Sequence, residues 1–576
     1  MKRDPASSLA LPLWRSRLLI MLLLLGLAVL AGRAIYLQGL NKDFLQQQGQ
    51  SRYSRIVELN AQRGKITDRY GEILAISAPV KSVWADPQKV NATPEQLQAL
   101  AQLLEMDVTD LRKRVLDQDK RFVYLRRQLS PEMASGVANL KIAGVYLKRE
   151  FYRYYPTGDV AAHITGFADI DGKGQEGIEL GWEDVLTGEH GSRRVIKDRI
   201  GRVIESVEKI RSPKPGQNLM LSIDSKIQYL AHRELKRSVK ANQAKAGSVI
   251  VLDVLTGEVL GLANYPSYNP NQRSTIRPGT TRNRALVDVF EPGSTLKPFA
   301  VAVAMEIGKI NPNTLFHTSP GMLKIGNATI RDVRNKGTIS VSQVIQESSN
   351  VGAAKIALML PPKTLWEMLS RSGFGMPTGA NFPGEENGRL RPYHKWRPIE
   401  QATMSYGHGI SVNLMQLARA YTLFAAGGEL KPVSLLKRDT PPVGQQVISR
   451  ETALAMSRML ETVVQPGGTG LQAKVNGYRV AGKTGTAHKP LEGGMKGYAK
   501  NRYISTFVGY APVSNPRLVV AVMIDEPSAG QYYGGAVAAP LFSQVMSGAL
   551  RQLRVPHDAL GNIVTSPLPI KLENEG

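Results

Sequence analysis

The sequence contains no cysteine and only eight histidines. Without cysteine there is no disulfide scaffold, no thiol nucleophile and no thiolate metal site, and so few histidines leave a Ser-His-Asp triad little to build from. Negative charge is also scarce: 48 acidic residues face 73 basic ones, a formal charge of +25. That excess admits nucleic acid, anionic lipid or an acidic polymer as partner. The basic residues are dispersed, as in Arg126-Arg127, Lys148-Arg149, Arg193-Arg194, Lys197, Arg199, Arg202 and Lys431. They form no zinc-finger spacing, RNP-like aromatic motif or continuous basic helix. Nucleic acid is therefore set aside in favour of a basic surface facing an anionic envelope.

Long hydrophobic runs are scarce too, and the run at residues 18–32, LLIMLLLLGLAVLAG, carries no charge. As a helix it measures about 22 Å, and residues 34–37 with snorkelling of Arg17 and Arg33 extend it towards a hydrocarbon core of about 30 Å. Lys2, Arg3, Arg15 and Arg17 precede it, so the positive-inside rule puts residues 1–17 in the cytoplasm and the rest outside. Residues 18–37 read as an uncleaved anchor, carried on by an amphipathic helix over 36–48.

A chain of 576 residues, 42% hydrophobic and 21% charged, should form two to four folded units. Residues 50–214 mix short elements: a strand at 73–76, helical periodicity at 93–115 and a short helix at 131–140. They offer no acid/base pair or metal-ligand cluster, which suits a structural pedestal or docking module. The Pro/Lys-rich connector 211–216 marks a boundary. Beyond it come a strand at 219–223, a helix at 226–241 and a hairpin of 248–254 with 258–263 turning at Thr256-Gly257. A largely helical stretch at 340–428, strands at 480–487, 504–511 and 518–525, and a helix at 540–553 follow. The order implies an α+β layer, an antiparallel sheet carrying helices with an inserted all-helical lobe, over 215–556 and followed by a tail at 557–576.

Chemistry concentrates at Glu291-Pro292-Gly293-Ser294-Thr295-Leu296-Lys297-Pro298. A serine at neutral pH needs an adjacent base. If a helix begins near Ser294, Lys297 lies one turn on, on the same face. Pro298 suits a first turn, whereas the residue before a proline is biased against helical geometry, so Lys297 is expected to be strained. S-x-x-K alone is weak, since Ser206–Lys209 and Ser434–Lys437 also match and a helix cap with a solvated lysine would give the same pattern. A lysine serves as base when other cations or a dry site depress its pKa. Lys483, in Gly482-Lys483-Thr484-Gly485-Thr486, is such a cation. In Glu347-Ser348-Ser349-Asn350, the Ser348 hydroxyl can relay a proton and the Asn350 amide can grip a substrate amide. Ser411-Val412-Asn413 is the rival S-x-N.

The set Ser294–Lys297, Ser348–Asn350 and Lys483–Gly485 resembles the S-x-x-K, S-x-N and K-[S/T]-G motifs of penicillin-binding proteins and serine β-lactamases. Arg63-Gly64-Lys65-Ile66-Thr67-Asp68-Arg69-Tyr70-Gly71 looks like the R-G-x-x-x-D-R-x-G signature of class B penicillin-binding proteins, and Tyr406-Gly407-His408-Gly409 like their Y-G-x-G loop. The likeness runs over about residues 15–556 and is nearest the septal, FtsI-type branch. It implies a membrane anchor, a non-catalytic α+β pedestal and a transpeptidase domain that cross-links peptidoglycan stem pentapeptides through a serine acyl-enzyme, with no metal or cofactor. Ser294 would be the nucleophile and Lys297 its base, with Ser348 and Lys483 passing the proton to the leaving amine. Asn350 would hold the substrate amide, Thr484 and Thr486 the terminal carboxylate, and the backbone N–H groups of Ser294 and Thr486 would form the oxyanion hole beside Gly485. β-Lactam antibiotics would trap Ser294. The expected location is the inner membrane, single-pass, with the catalytic domain in the periplasm and an FtsW-type glycosyltransferase and other divisome proteins as partners. The competing readings are a D,D-carboxypeptidase, a β-lactamase-type hydrolase and a β-lactam-binding scaffold or sensor.

Overall fold

The computed structural model describes residues 13–40, 54–197, 203–491 and 497–559. Among these, the helix at Leu13–Gln38 is long and apolar enough to cross a membrane. Its 26 residues reach about 39 Å, so the helix is longer than the uncharged run alone suggests. Most of the expected tails, and of the continuation over 36–48, lie outside the described residues.

The chain divides into two units, one of residues 1–62, 80–150 and 188–215, the other of 63–79, 151–187 and 216–576. In the first, the expected helix at 93–115 is two helices, Pro94–Leu103 and Val108–Val115. Thr93 opens the former with a capping box to Gln96. Glu105, at φ +47°, ends it, and the Asp107 carboxylate restarts the chain by accepting from the Thr109 and Asp110 N–H groups. Leu97, Leu100, Leu111 and Val115 pack on Val83, Leu125 and Val137 as this unit's core. The short helix forms at Pro131–Asn139. The sheet of Ser54–Leu59, Gly191–Lys197 and Val203–Arg211 is antiparallel.

In the larger unit, β1 (Ala246–Asp253) and β2 (Val259–Tyr265) form the expected hairpin, and β3 (Ala481–Pro490), β4 (Tyr498–Ala511) and β5 (Leu518–Asp525) complete an antiparallel sheet of order β2-β1-β5-β4-β3. Both faces are apolar and covered: β1 and β5 are buried at every position, because helices lie on each side. One cover is α1 (Ser225–Ala241) with the last helix, Gly534–Gln552, around Leu235, Phe507 and Phe542. The other is built on Phe299, Tyr421 and Phe424. The last helix begins six residues before Pro540, which sits inside it. The strand expected at 219–223 is confined to Leu219–Met220. The helical stretch at 340–428 holds five α-helices and is preceded by short strand pairs, Leu315–His317 with Thr338–Ser340 and Met322–Ile325 with Ala328–Arg331.

The Arg63–Gly71 signature belongs to this unit and works as a buried staple. Arg63 donates to Glu179 at 2.5 Å and pairs with Glu183 at 2.7 Å, while Arg153 reaches the other Glu179 oxygen at 2.6 Å. The Asp68 carboxylate accepts from the N–H groups of Tyr70, Glu72 and Ser225, and so ties the loop to the first turn of α1.

Candidate active site

Ser294 lies in the 3₁₀ turn Gly293–Leu296, which runs directly into α2 (Lys297–Glu306). Lys297 adopts helical angles, φ −52° and ψ −40°, the geometry that a following proline disfavours, so the strain expected ahead of Pro298 falls on its backbone. Packing decides this: Leu296 and Phe299 are fully buried, and the Phe299 ring meets Phe374, Tyr421 and Phe424 at 5.1–5.9 Å.

A second strained residue is Ser348. It joins α3 (Val341–Gln346) to α4 (Asn350–Leu358) at φ +60°, a left-handed conformation costly for a side chain other than glycine. Ser349 caps α4 by accepting from the Gly352 N–H and donates to Asp332 at 2.6 Å. The other Asp332 oxygen accepts from the N–H groups of Asn350 and Val351. A carboxylate at this helix start suits the local dipole, and it pins the joint that presents Ser348.

The Ser348 hydroxyl oxygen sits 3.0 Å from the Lys297 amine and 3.0 Å from the Lys483 amine. Lys297 also donates to the Ser348 carbonyl at 2.6 Å, and Lys483 to the Thr484 carbonyl at 3.3 Å. No hydrogen bond joins Lys297 to Ser294 among the described residues. A hydroxyl accepts twice and donates once, so both amines can bond to Ser348 while its own proton stays available. Both lysines are fully buried. Burial, and then the charge of Lys336, lower Lys483 to about 7. Lys297 is pushed well below the usual lysine range by burial, then by the charge of Lys483, against an opposing pull from Asp332. A buried amine held neutral near pH 7 can accept a proton.

The third wall is β3, the edge strand of its sheet, where Lys483, Thr484, Gly485 and Thr486 pair with residues 508 to 505 of β4. An edge strand leaves one row of N–H groups unpaired, and here that edge lies against the Ser294 turn. A Cβ on Gly485 would fall 2.8 Å from the Pro292 carbonyl oxygen, so only glycine permits the approach. Gly407 does the same from beneath: at φ +82°, its Cβ would lie 2.3 Å from the Gly293 carbonyl oxygen.

A cavity of about 630 Å³ collects Ser294, Ser348, Asn350, Thr484 and Thr486 along one lining. Asn350 donates to the Arg331 carbonyl at 3.0 Å, Thr484 pairs with Thr469 at 2.9 Å, and Thr486 accepts from the Gly534 N–H at 3.0 Å. The rival Asn413 is buried as a helix cap and donates to the Glu386 carbonyl. Ser434 bonds to its neighbour Leu436. Val412, between Ser411 and Asn413, bridges to Phe290 in a β-bridge.

The lining also contains residues that motif reading missed: Thr469, Lys336, Arg334 and Tyr503. Thr469 closes the turn-rich Pro466-Gly467-Gly468-Thr469 run, a loop signal without a chemical one. Tyr503 stacks on Tyr532 at 4.0 Å and Tyr532 meets Tyr533 at 4.5 Å, giving an aromatic wall. His408 and His488 line the cavity, where His408 pairs with Glu291 at 3.2 Å. Glu291 also accepts from the Gly409 N–H and the Tyr498 hydroxyl. Burial works to raise the Glu291 pKa, but these partners, His408 first, hold it below the usual carboxylate range.

Residues 247–547 match the penicillin-binding protein transpeptidase domain, and residues 58–221 the penicillin-binding protein dimerisation domain. The chain is a class B penicillin-binding protein. The peptidoglycan D,D-transpeptidase FtsI of Escherichia coli K12 is 42% identical to this penicillin-binding protein over 95% of the chain and 93% of its own length. The probable peptidoglycan D,D-transpeptidase PenA of Neisseria meningitidis serogroup A is 43% identical, over 92% and 91% respectively. The crystal structure of a peptidoglycan synthetase from Bifidobacterium adolescentis superposes with a TM-score of 0.70 at 25% identity, covering 88% of this chain and 98% of that one.

Proposed function

We propose that this penicillin-binding protein is a peptidoglycan D,D-transpeptidase that cross-links stem peptides during septal wall synthesis and is acylated by β-lactams. The observation that carries the mechanism is the Ser348 hydroxyl held 3.0 Å from two buried amines at the floor of the Ser294 cavity. Lys297, its proton affinity lowered by burial and by the charge of Lys483, takes the Ser294 proton as the oxygen attacks the carbonyl of the penultimate D-Ala. The tetrahedral oxyanion is received by the N–H groups of Ser294 and Thr486, a type of contact worth about 3–4 kcal/mol. Collapse expels the terminal D-Ala, whose amine takes up the proton through Ser348 and Lys483. Asn350 grips the donor amide, while Thr484 and Thr486, with Gly485 keeping the strand close, hold the terminal carboxylate. An amine from a neighbouring stem then attacks the acyl-enzyme, restoring Ser294 and forming the cross-link.

The domain assignment belongs to this proposal: tail 1–17, anchor 18–37, pedestal 50–214, transpeptidase domain 215–556 and tail 557–576. So does the topology, with the N-terminus in the cytoplasm and the catalytic domain in the periplasm, and so do the partners, an FtsW-type glycosyltransferase and other divisome proteins. The test is release of D-Ala from a stem pentapeptide with and without an acceptor amine. Transpeptidation predicts that the amine accelerates release and appears in the product. Release unaffected by the amine, with free tetrapeptide as product, would make the protein a carboxypeptidase.

A further inference from the structure

The cavity wall beside Asn350 carries a guanidinium that is only loosely engaged by its carboxylate partner. Asp332, Val333, Arg334 and Lys336 follow the strand Ala328–Arg331 in the chain, and the last three line the cavity. Glu347, immediately before Ser348, supplies the facing carboxylate. One of its oxygens lies 3.4 Å from Arg334 and 3.6 Å from Lys336. Lys336 is nearly buried and donates also to the Glu347 carbonyl. The other nearby carboxylate, Asp332, is committed to Ser349, Asn350 and Val351. Arg334 and Lys336 thus share the Glu347 carboxylate, while the Asp332 charge also favours Lys336. The more exposed of them, Arg334, keeps its side chain 73% accessible and engages Glu347 only at the long end of the hydrogen-bond range.

A guanidinium is charged at every accessible pH and presents a fork of donors that matches a carboxylate. Arg334 faces the cavity with most of that fork uncommitted to Glu347. The segment that carries it is tied to the site, because Asn350 bonds the Arg331 carbonyl and donates its backbone N–H to Asp332. Resting on the transpeptidase reading, in which Asn350 grips the donor amide, the acyl donor on the far side of that amide must pass over Val333 and Arg334.

We infer that Arg334, backed by Lys336, is a specificity subsite for a carboxylate carried by the acyl donor on the side of Asn350 away from the reacting carbonyl. The site reads charge on the donor and takes no part in bond making. An exposed ion pair contributes modestly and is screened by salt, so the subsite tunes the choice among donors.

Benzylpenicillin and carbenicillin test this, since they differ by one carboxylate on the acyl side chain. Second-order acylation constants are measured on the full-length protein in detergent, for wild type, Arg334→Ala, Arg334→Lys and Arg334→Glu. Arg334→Ala should slow carbenicillin about 3–10-fold and leave benzylpenicillin within about twofold. Arg334→Glu should slow carbenicillin further, Arg334→Lys should restore part of the rate, and about 0.5 M salt should shrink the wild-type difference. A carbenicillin-to-benzylpenicillin ratio identical in all four proteins overturns the subsite, because a purely structural effect would move both drugs together. Wild type that reacts with neither drug overturns the transpeptidase reading, and the subsite with it.

Discussion

Lys483 holds an amine away from water, and that has a measurable consequence. Burial lowers it to about 7 against an ordinary value near 10.5, which costs the fold up to about 5 kcal/mol. The folded pKa of this cation is depressed, so the penalty is complete below about pH 7. It fades as pH rises to about 10.5, because over that window the unfolded chain holds a proton that the folded chain lacks. Lys483→Met should therefore raise the denaturation midpoint at pH 6, by about 1–3 kcal/mol after the lost hydrogen bonds are counted, and give little gain at pH 10.5. An equal effect at both values would show that the amine is not held neutral by burial. The residues behind this chemistry were legible, since Ser294, Lys297, Ser348 and Lys483 occur in order at characteristic spacing. Their electrostatic surroundings were not. Lys336 lowers Lys483, and Asp332 anchors the Ser348 joint, yet neither stands in a motif with what it serves. Loop closure alone brings them there.

At the level of elements, three segments converge on Ser294: the start of α2, the α3–α4 joint and the β3 edge. Glycine makes their contacts possible. Gly407→Ala would set a Cβ 2.3 Å from the Gly293 carbonyl oxygen at a positive φ, and should destabilise the protein by about 2–4 kcal/mol. Acylation by benzylpenicillin should fall at least tenfold in the fraction that remains folded, because the turn carrying Ser294 must shift. Unchanged acylation would mean that the Tyr406–Gly409 loop does not support the nucleophile. Regular, fully buried elements were read well from sequence, as β1, β2 and β5 were. Elements with mixed faces were missed: Val145–Tyr154, VYLKREFYRY, alternates poorly because four of its ten residues are charged. Pro79 and Lys81 hid the full run of Ile73–Ala85, and Pro540 drew the expected helix start six residues too late.

In the whole molecule, an N-terminal apolar helix precedes a transpeptidase domain that needs no membrane for its chemistry. Removing residues 1–40 should leave the acylation rate within about twofold, since among the described residues none of the cavity lining comes from that segment, and should abolish complementation in cells depleted of the enzyme. Full complementation by the truncated protein would contradict the anchoring argument. The central claim is narrower, namely that Ser294 forms a long-lived acyl-enzyme. Intact-mass spectrometry of the full-length protein incubated with benzylpenicillin, beside Ser294→Ala, tests it directly. The account predicts a stable adduct of one drug molecule on wild type and none on the variant. An adduct that persists in Ser294→Ala, or rapid drug turnover without any adduct, would contradict it.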